Sequence, residues 1–224
     1  MCRTLPGMTT PPVIAVELGK GGVGKTATSV AIGEAAAEAG APVLLADSDP
    51  QGSLVRWAQL AEAEGKPLRA HVAGLATRDL ATRLPLMTAG YGMAVIDGPP
   101  GQLDIVRAGI DAAARAEGGG LVVMPVPPKP GDFDRVPALI KMAADAGALI
   151  VAVQTFARAG SASQVSARET LIDAGVIVAE TVLPTSDPIA RLYGTRPRGR
   201  LAAFGRDLLA ELLTILDRHR GGGR

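Results

Sequence analysis

The sequence predicts an α/β fold: a mostly parallel, twisted sheet with helices on both faces. Three observations predict it. Near-continuous apolar runs such as Val43-Leu44-Leu45-Ala46 and Leu121-Val122-Val123-Met124 alternate with stretches of helical spacing. Strands covered on both faces read as such runs, whereas half-exposed strands alternate apolar and polar residues. The chain has 224 residues, 47% of them hydrophobic, which suits one α/β domain with a full core. A glycine-rich segment sits directly between the first apolar run and the first helix. Parallel sheets bind ligands outside the carboxyl ends of their strands, where that segment lies.

The elements follow in order. Val13 to Leu18 reads as a strand and 25–39 as an Ala-rich helix stopped by Gly40. Val43 to Ala46 is the second strand, 53–64 a helix and Leu68 to Val72 a short strand. A helix over 77–88 is interrupted near Pro85, because proline lacks the N–H that a helix interior uses. Met93 to Ile96 is a buried strand ending at Asp97, and 102–116 has helical spacing. Strands at 121–126, 148–154 and 176–183 then alternate with helices at 133–146 and 161–174. Segment 201–219 is an amphipathic helix with Leu208, Leu209, Leu212, Leu213 and Leu216 on one face. Residues 1–11 read as a flexible leader, with Met8 a second candidate start, 12–219 as the domain and 220–224 as a flexible tail.

Composition narrows the function classes. Formal net charge is +1, so any nucleic-acid site is a local patch rather than a property of the whole chain. Aromatics make up 3%, so the core rests on Val, Ile, Leu and Ala. The single cysteine, Cys2, permits no internal disulfide, which fits a cytoplasmic protein. The sequence has no apolar run of about 18 residues or more, the length that a spanning helix needs, and no signal-peptide core. His71 and His219 are isolated from partners at metal-ligand spacing, and Trp57 reads as a packing residue.

Gly19-Lys20-Gly21-Gly22-Val23-Gly24-Lys25-Thr26 matches G-x-x-x-x-G-K-[ST] between a strand and a helix. The glycines let backbone N–H groups of Gly21, Gly22, Val23, Gly24, Lys25, Thr26 and Ala27 turn toward phosphate oxygens, and the helix N-terminus adds a favourable dipole. Lys25 is placed for the β- and γ-phosphates of a nucleoside triphosphate and Thr26 for Mg²⁺. The whole is therefore a single P-loop domain. Asp97, at the end of an apolar strand, is the expected Walker-B metal ligand. Asp47-Ser48-Asp49-Pro50-Gln51 follows the second strand. One carboxylate there can help to hold the metal and another can orient the attacking water. A lone Asp after a strand also reads as a cap or turn residue.

The second lysine, Lys20, makes the loop Lys-Gly-Gly-Val-Gly-Lys-Thr. This resembles the deviant Walker-A motif of ParA/MinD-type ATPases, in which the early lysine reaches the nucleotide of a dimer partner. Asp47 to Ser53 resembles that family's D-x-D-P-Q switch, and Ile96-Asp97-Gly98-Pro99-Pro100-Gly101 its Walker-B region. Pro125 to Phe133 resembles a proline-rich segment of small, ParF-like partition proteins, which lack an N-terminal helix-turn-helix domain. The likeness spans 12–184. It implies Lys20, Lys25 and Asp49 as catalytic residues, with Asp49 activating water, and Thr26, Asp47 and Asp97 around Mg²⁺. Family members read adenine after late strands, where this chain has Gln154-Thr155 and Pro184-Thr185; Gln154 and Pro184 are the expected base contacts. ATP is the implied nucleotide. The alternative readings are a solvated loop lysine for Lys20, and a rigid strand-to-helix connection for the proline-rich segment with Phe133 in the core.

The resemblance further implies a slow ATPase stimulated by its partner: a homodimer formed on ATP binding that holds nonspecific DNA and a small centromere-binding adaptor. Such a protein is cytoplasmic and nucleoid-associated when ATP-bound. From 185 to 224 there are eight arginines and four acids, and Arg191, Arg196, Arg198 and Arg200 form the candidate DNA contacts, with Arg158 and Arg168 extending them. A solvated surface is the plain alternative. Two other functions stay open. One positions a protein cargo on the nucleoid. The other is MinD-like and membrane-associated, but the acids Asp207, Glu211 and Asp217 and the near absence of aromatic anchors in 201–219 argue for a core-packing helix and no stable membrane association. A cluster carrier would need a Cys-x-x-Cys pair, which the chain lacks.

Overall fold

Seven aliphatic runs pair into one sheet in the computed structural model, which describes residues 11–185 and 192–221. In chain order the elements are β1 (Val13–Val16), α1 (Lys25–Glu38), β2 (Val43–Asp47), α2 (Ser53–Ala63), β3 (His71–Gly74), α3 (Leu80–Met87) and β4 (Met93–Asp97). They continue with α4 (Leu103–Ala114), β5 (Gly120–Val126), α5 (Val136–Ala146), β6 (Leu149–Ala157), α6 (Ala162–Asp173), β7 (Ile177–Pro184) and α7 (Gly199–Gly221). The strand order is β3-β2-β4-β1-β5-β6-β7. Every pairing is parallel, so the sheet is wholly rather than mostly parallel.

Residue alternation along the strands sorts the core into two layers. Ile14, Val16, Leu45, Val95 and Val123 face α1, α2 and α7. Val13, Ala15, Ala46, Ala94 and Ile96 face α3 and α4, while Val122, Met124 and Ala152 face α4, α5 and α6. The leucine stripe of α7 belongs to the first layer: Leu208, Leu212 and Leu216 are buried there with Leu201 and Phe204. Each such side chain contributes about 1.5–3 kcal/mol when taken from water. Glu211 accepts the Glu180 and Thr181 backbone N–H groups and ties α7 to the edge strand β7.

Several element ends differ from expectation, β6 among them, which runs to Ala157 rather than 154, and three differences have a visible cause. β3 begins at His71 rather than Leu68, because its register with Leu44–Asp47 fixes which residues pair. Pro85 lies inside α3 instead of interrupting it; in so short a helix one missing donor weighs little against burial of Leu80 and Leu84. α7 continues through Gly221, so Arg220 is helical and donates to the Gly118 carbonyl. The expected leader falls on residues outside those described, apart from Pro11.

Gly205 allows α7 to approach α1 closely. A Cβ there would overlap the Ala31 carbonyl, a backbone group that cannot swing aside. Gly205→Ala should therefore destabilise the fold by about 1–3 kcal/mol, read as a lower urea midpoint; an unchanged midpoint would show that the two helices separate freely.

Candidate functional site

The register of three central strands assembles the site. Val16 lies opposite Asp97, and Asp97 opposite Asp47, so β1, β4 and β2 end side by side on one sheet edge. Strand order reverses about β1, and open sheets place their ligand crevice at such a point. The phosphate loop leaves β1 there and enters α1 through Gly24, whose φ of 95° suits glycine. No side chain caps this helix, so its leading N–H groups face outward as an anion site.

A cavity of about 360 Å³ opens over the loop. Gly21, Gly22, Gly24, Lys25, Thr26 and Ala27 line it from one side and Asp49 from another. The Val23 side chain is buried in the core, and its carbonyl accepts the Thr155 hydroxyl at 2.7 Å. Lys25 is buried, and its ammonium donates to the Lys20 carbonyl at 2.6 Å. Burial lowers its pKa, opposed by the charges of Asp97, Glu17 and Asp49.

Thr26 Oγ1 donates to Asp97 Oδ2 at 2.8 Å, and Ser29 Oγ donates to Oδ1 at 2.9 Å. Burial raises the Asp97 pKa to about 7, opposed by these two hydrogen bonds. A hydroxyl beside a carboxylate is a hard oxygen pair, suited to a Mg²⁺ that keeps water and phosphate oxygens as its other ligands. Asp47, the other residue expected near the metal, is built differently from Asp97. Its Oδ1 accepts the Asp49 N–H at 3.1 Å, and Oδ2 accepts those of Leu54 and Val55, each at 2.9 Å. It therefore caps α2 and folds the switch segment. Burial raises its pKa, and these backbone donors oppose the rise. Asp49 Oδ1 accepts the Gln51 N–H at 2.9 Å while its side chain borders the cavity.

Lys20 is held within its own chain. Its ammonium pairs with Asp132 at 2.5 Å and donates to the Gly131 carbonyl, both in the short 3₁₀ turn after β5. The proline-rich segment thus docks onto the phosphate loop, and Phe133 packs partly buried beside α5 and α6.

The expected base contacts do not reach the cavity. Gln154 is fully buried; its amide donates to the Gln164 carbonyl at 2.8 Å and its oxygen accepts from Gln164 Nε2 at 2.5 Å. Pro184 pairs with Ala157 at the end of β7 and is not among the lining residues. Trp57, Phe156 and Tyr193 line the cavity instead. Trp57 is a packing residue as well: it is buried and donates to the Thr195 carbonyl.

The arginine patch is also redistributed. Arg196 donates to the Pro67 carbonyl and lies 3.8 Å from Glu34, so it fastens its loop to the body. Arg168 bonds the Ala179 and Val178 carbonyls and Glu180. Arg158, Arg198 and Arg200 are exposed, and Arg191 lies outside the described residues. His71 pairs with Tyr91 Oη at 2.8 Å.

Glu17 escaped the sequence reading. It is fully buried beneath the loop, and neither carboxylate oxygen has a hydrogen-bond partner among the described residues. A Cβ on Gly98 or on Gly109 would overlap it, so the space exists only because both are glycines. Burial holds its pKa well above the usual carboxylate range, opposed by Lys25 and assisted by Asp97. The available signal was an acid in an otherwise apolar strand.

Comparison with known proteins places this architecture. A family model described as the CobQ/CobB/MinD/ParA nucleotide binding domain matches residues 14–196. The chain belongs to this family. A relative from Gloeobacter kilaueensis, maintenance of carboxysome distribution protein A, is 36% identical over 131 residues, 57% of this chain and 55% of that protein. A ParA protein from Rhizobium radiobacter is 45% identical over 51 residues, 23% of each chain. The chain thus spans about half the length, or less, of these relatives in the matched regions. The crystal structure of cobyrinic acid a,c-diamide synthase from Mycobacterium smegmatis, with an ATP analogue and magnesium, shares the fold: TM-score 0.70, 22% identity, covering 96% of this chain and 97% of that one.

Acids whose folded pKa is raised stabilise the fold below their unfolded pKa, and that contribution is lost as pH rises through the folded value, about 7 for Asp97. The urea midpoint should fall between about pH 5 and pH 8, and Glu17→Gln should reduce that fall by removing one of the three raised carboxyls, Glu17, Asp47 and Asp97. Equal slopes for wild type and variant would exclude a protonated Glu17.

Proposed function

We propose that this chain is a Mg²⁺-dependent ATPase that works as a partition switch: ATP binding joins two copies, and hydrolysis separates them. The observation that carries the reading is Lys20. It adjoins the phosphate loop, a third of its side chain is exposed, and its partners, Gly131 and Asp132, lie on a single turn. A lysine so placed can exchange one anionic partner for a phosphate of a second copy's nucleotide. ATP then becomes part of the interface, and binding shifts the equilibrium toward the dimer.

The other residues take matching roles. Lys25 and the loop N–H groups bind phosphate, Thr26 and Asp97 hold Mg²⁺, and Asp49 orients the attacking water from the cavity wall. Asp47 sets the Asp49 loop against α2 through its three backbone hydrogen bonds. The bound metal supplies charge neutralisation at the phosphates.

The ATP-bound dimer binds DNA without sequence preference and engages a small adaptor protein. Exposed Arg198 and Arg200 beside the α7 N-terminus support a phosphate-contacting surface. Positioning of a protein cargo on DNA is the second reading, favoured by the 36% identity to the carboxysome distribution protein. The membrane reading has less support: the apolar face of α7 is buried against the sheet, and among the described residues no helix is long and apolar enough to span a bilayer.

Sedimentation with ADP and with a non-hydrolysable ATP analogue tests the switch. The analogue alone should give dimers, and Lys20→Ala should remain monomeric while still binding nucleotide; a variant that dimerises like wild type would sink the trans role. Arg198→Ala with Arg200→Ala should weaken dimer binding to nonspecific duplex by about five- to tenfold at low salt, flatten its salt dependence and spare hydrolysis. Unchanged DNA affinity would overturn the assignment of the surface.

A further inference from the structure

The chain contains one Trp, two Tyr and three Phe, yet Trp57, Phe156 and Tyr193 all line the phosphate-loop cavity. Phe156 is the one non-glycine residue with positive φ, 50°, among the described residues. A bulky side chain held there is strained, and such strain persists where the surrounding structure imposes it, often at ligand sites. Here its origin is visible. The register of β6 against β7 shifts between Thr155 and Ala157, which turns Phe156 out of the strand alternation. Its ring then lies against the last glycine of the loop: a Cβ on Gly24 would stand 3.2 Å from Phe156 Cε2.

Tyr193 contributes a second aromatic surface. It is 43% exposed, packs edge-on to Trp57 with centroids 5.1 Å apart, and donates its hydroxyl to the Ser53 carbonyl at 3.1 Å. The polar side chains preceding Phe156 are satisfied internally, Gln154 by Gln164 and Thr155 by the Val23 carbonyl. The end of β6 therefore offers the cavity an aromatic face in place of an amide.

We propose that Phe156, with Tyr193, is the nucleobase platform, and that the site accepts purine nucleoside triphosphates with little discrimination between adenine and guanine. The inference rests on the nucleotide occupying this cavity, as proposed above. Stacking tolerates base identity because each base has a π-face, whereas strong discrimination requires polar groups left unpaired by the wrong ligand.

Equilibrium binding of ATP, GTP and inorganic tripolyphosphate, each with Mg²⁺, tests it. Wild type should bind ATP and GTP within about threefold of each other. Phe156→Leu should weaken both about tenfold and leave tripolyphosphate unchanged, while Phe156→Tyr retains wild-type affinity for all three. Tyr193→Leu, at an exposed position, should show the same selective loss and serves if Phe156→Leu fails to fold. A preference for ATP over GTP of more than about tenfold would overturn the proposal. So would equal losses for ATP and tripolyphosphate, which would make Phe156 a prop for Gly24. If wild type binds tripolyphosphate but neither nucleotide, the platform falls and the phosphate loop stands. If it binds none of the three, the nucleotide-site reading falls and takes the platform with it.

Discussion

Two hydroxyls from one helix turn, Thr26 and Ser29, donate to the buried carboxylate of Asp97. This pairing fastens the start of α1 to the end of β4 and so fixes the phosphate loop against the sheet. Both partners sit where they do because parallel register aligns the ends of β1, β4 and β2. The same carboxylate raises the stakes of burial. Asp97 and Glu17 both lie near Lys25 in a region shielded from water, so each group's charge depends on its neighbours.

Around that fixed point the surrounding segments divide between rigid and exchangeable attachment. Asp47 closes the switch loop onto α2 with three backbone hydrogen bonds, in a buried position. Lys20 is joined to the turn after β5 by a partly exposed ion pair. Exposed ion pairs contribute little net stability, so the turn holds the lysine without locking it. That contrast suits a switch, whose moving contacts must be close to balance while its framework is not.

The proline-rich segment and the arginines gain different meanings in three dimensions. Pro125 to Phe133 carries the turn that holds Lys20, which joins its two readings: a stiff connection whose stiffness presents Gly131 and Asp132 to the loop. Arg196 serves the fold through the Pro67 carbonyl, whereas Arg198, two residues on, points its charge to solvent. A run of like charges in sequence thus splits into a structural member and an exposed one.

The sequence by itself determined the α/β class, the order of elements and the phosphate loop with Lys25, Thr26 and Asp97. These depend on local pattern: apolar runs, helical spacing, and glycines at a strand-to-helix turn. Only the tertiary structure decided which polar groups are free to act. Gln154 is consumed by Gln164, ten residues on, and Asp47 accepts backbone N–H groups from a helix that begins six residues later. Glu17 is exceptional because Gly98 and Gly109, distant in sequence, leave room for it. Phe156 reaches the cavity through a register shift between β6 and β7. Hydrogen-bond satisfaction and strand register are properties of pairs brought together by folding, and no single segment carries them.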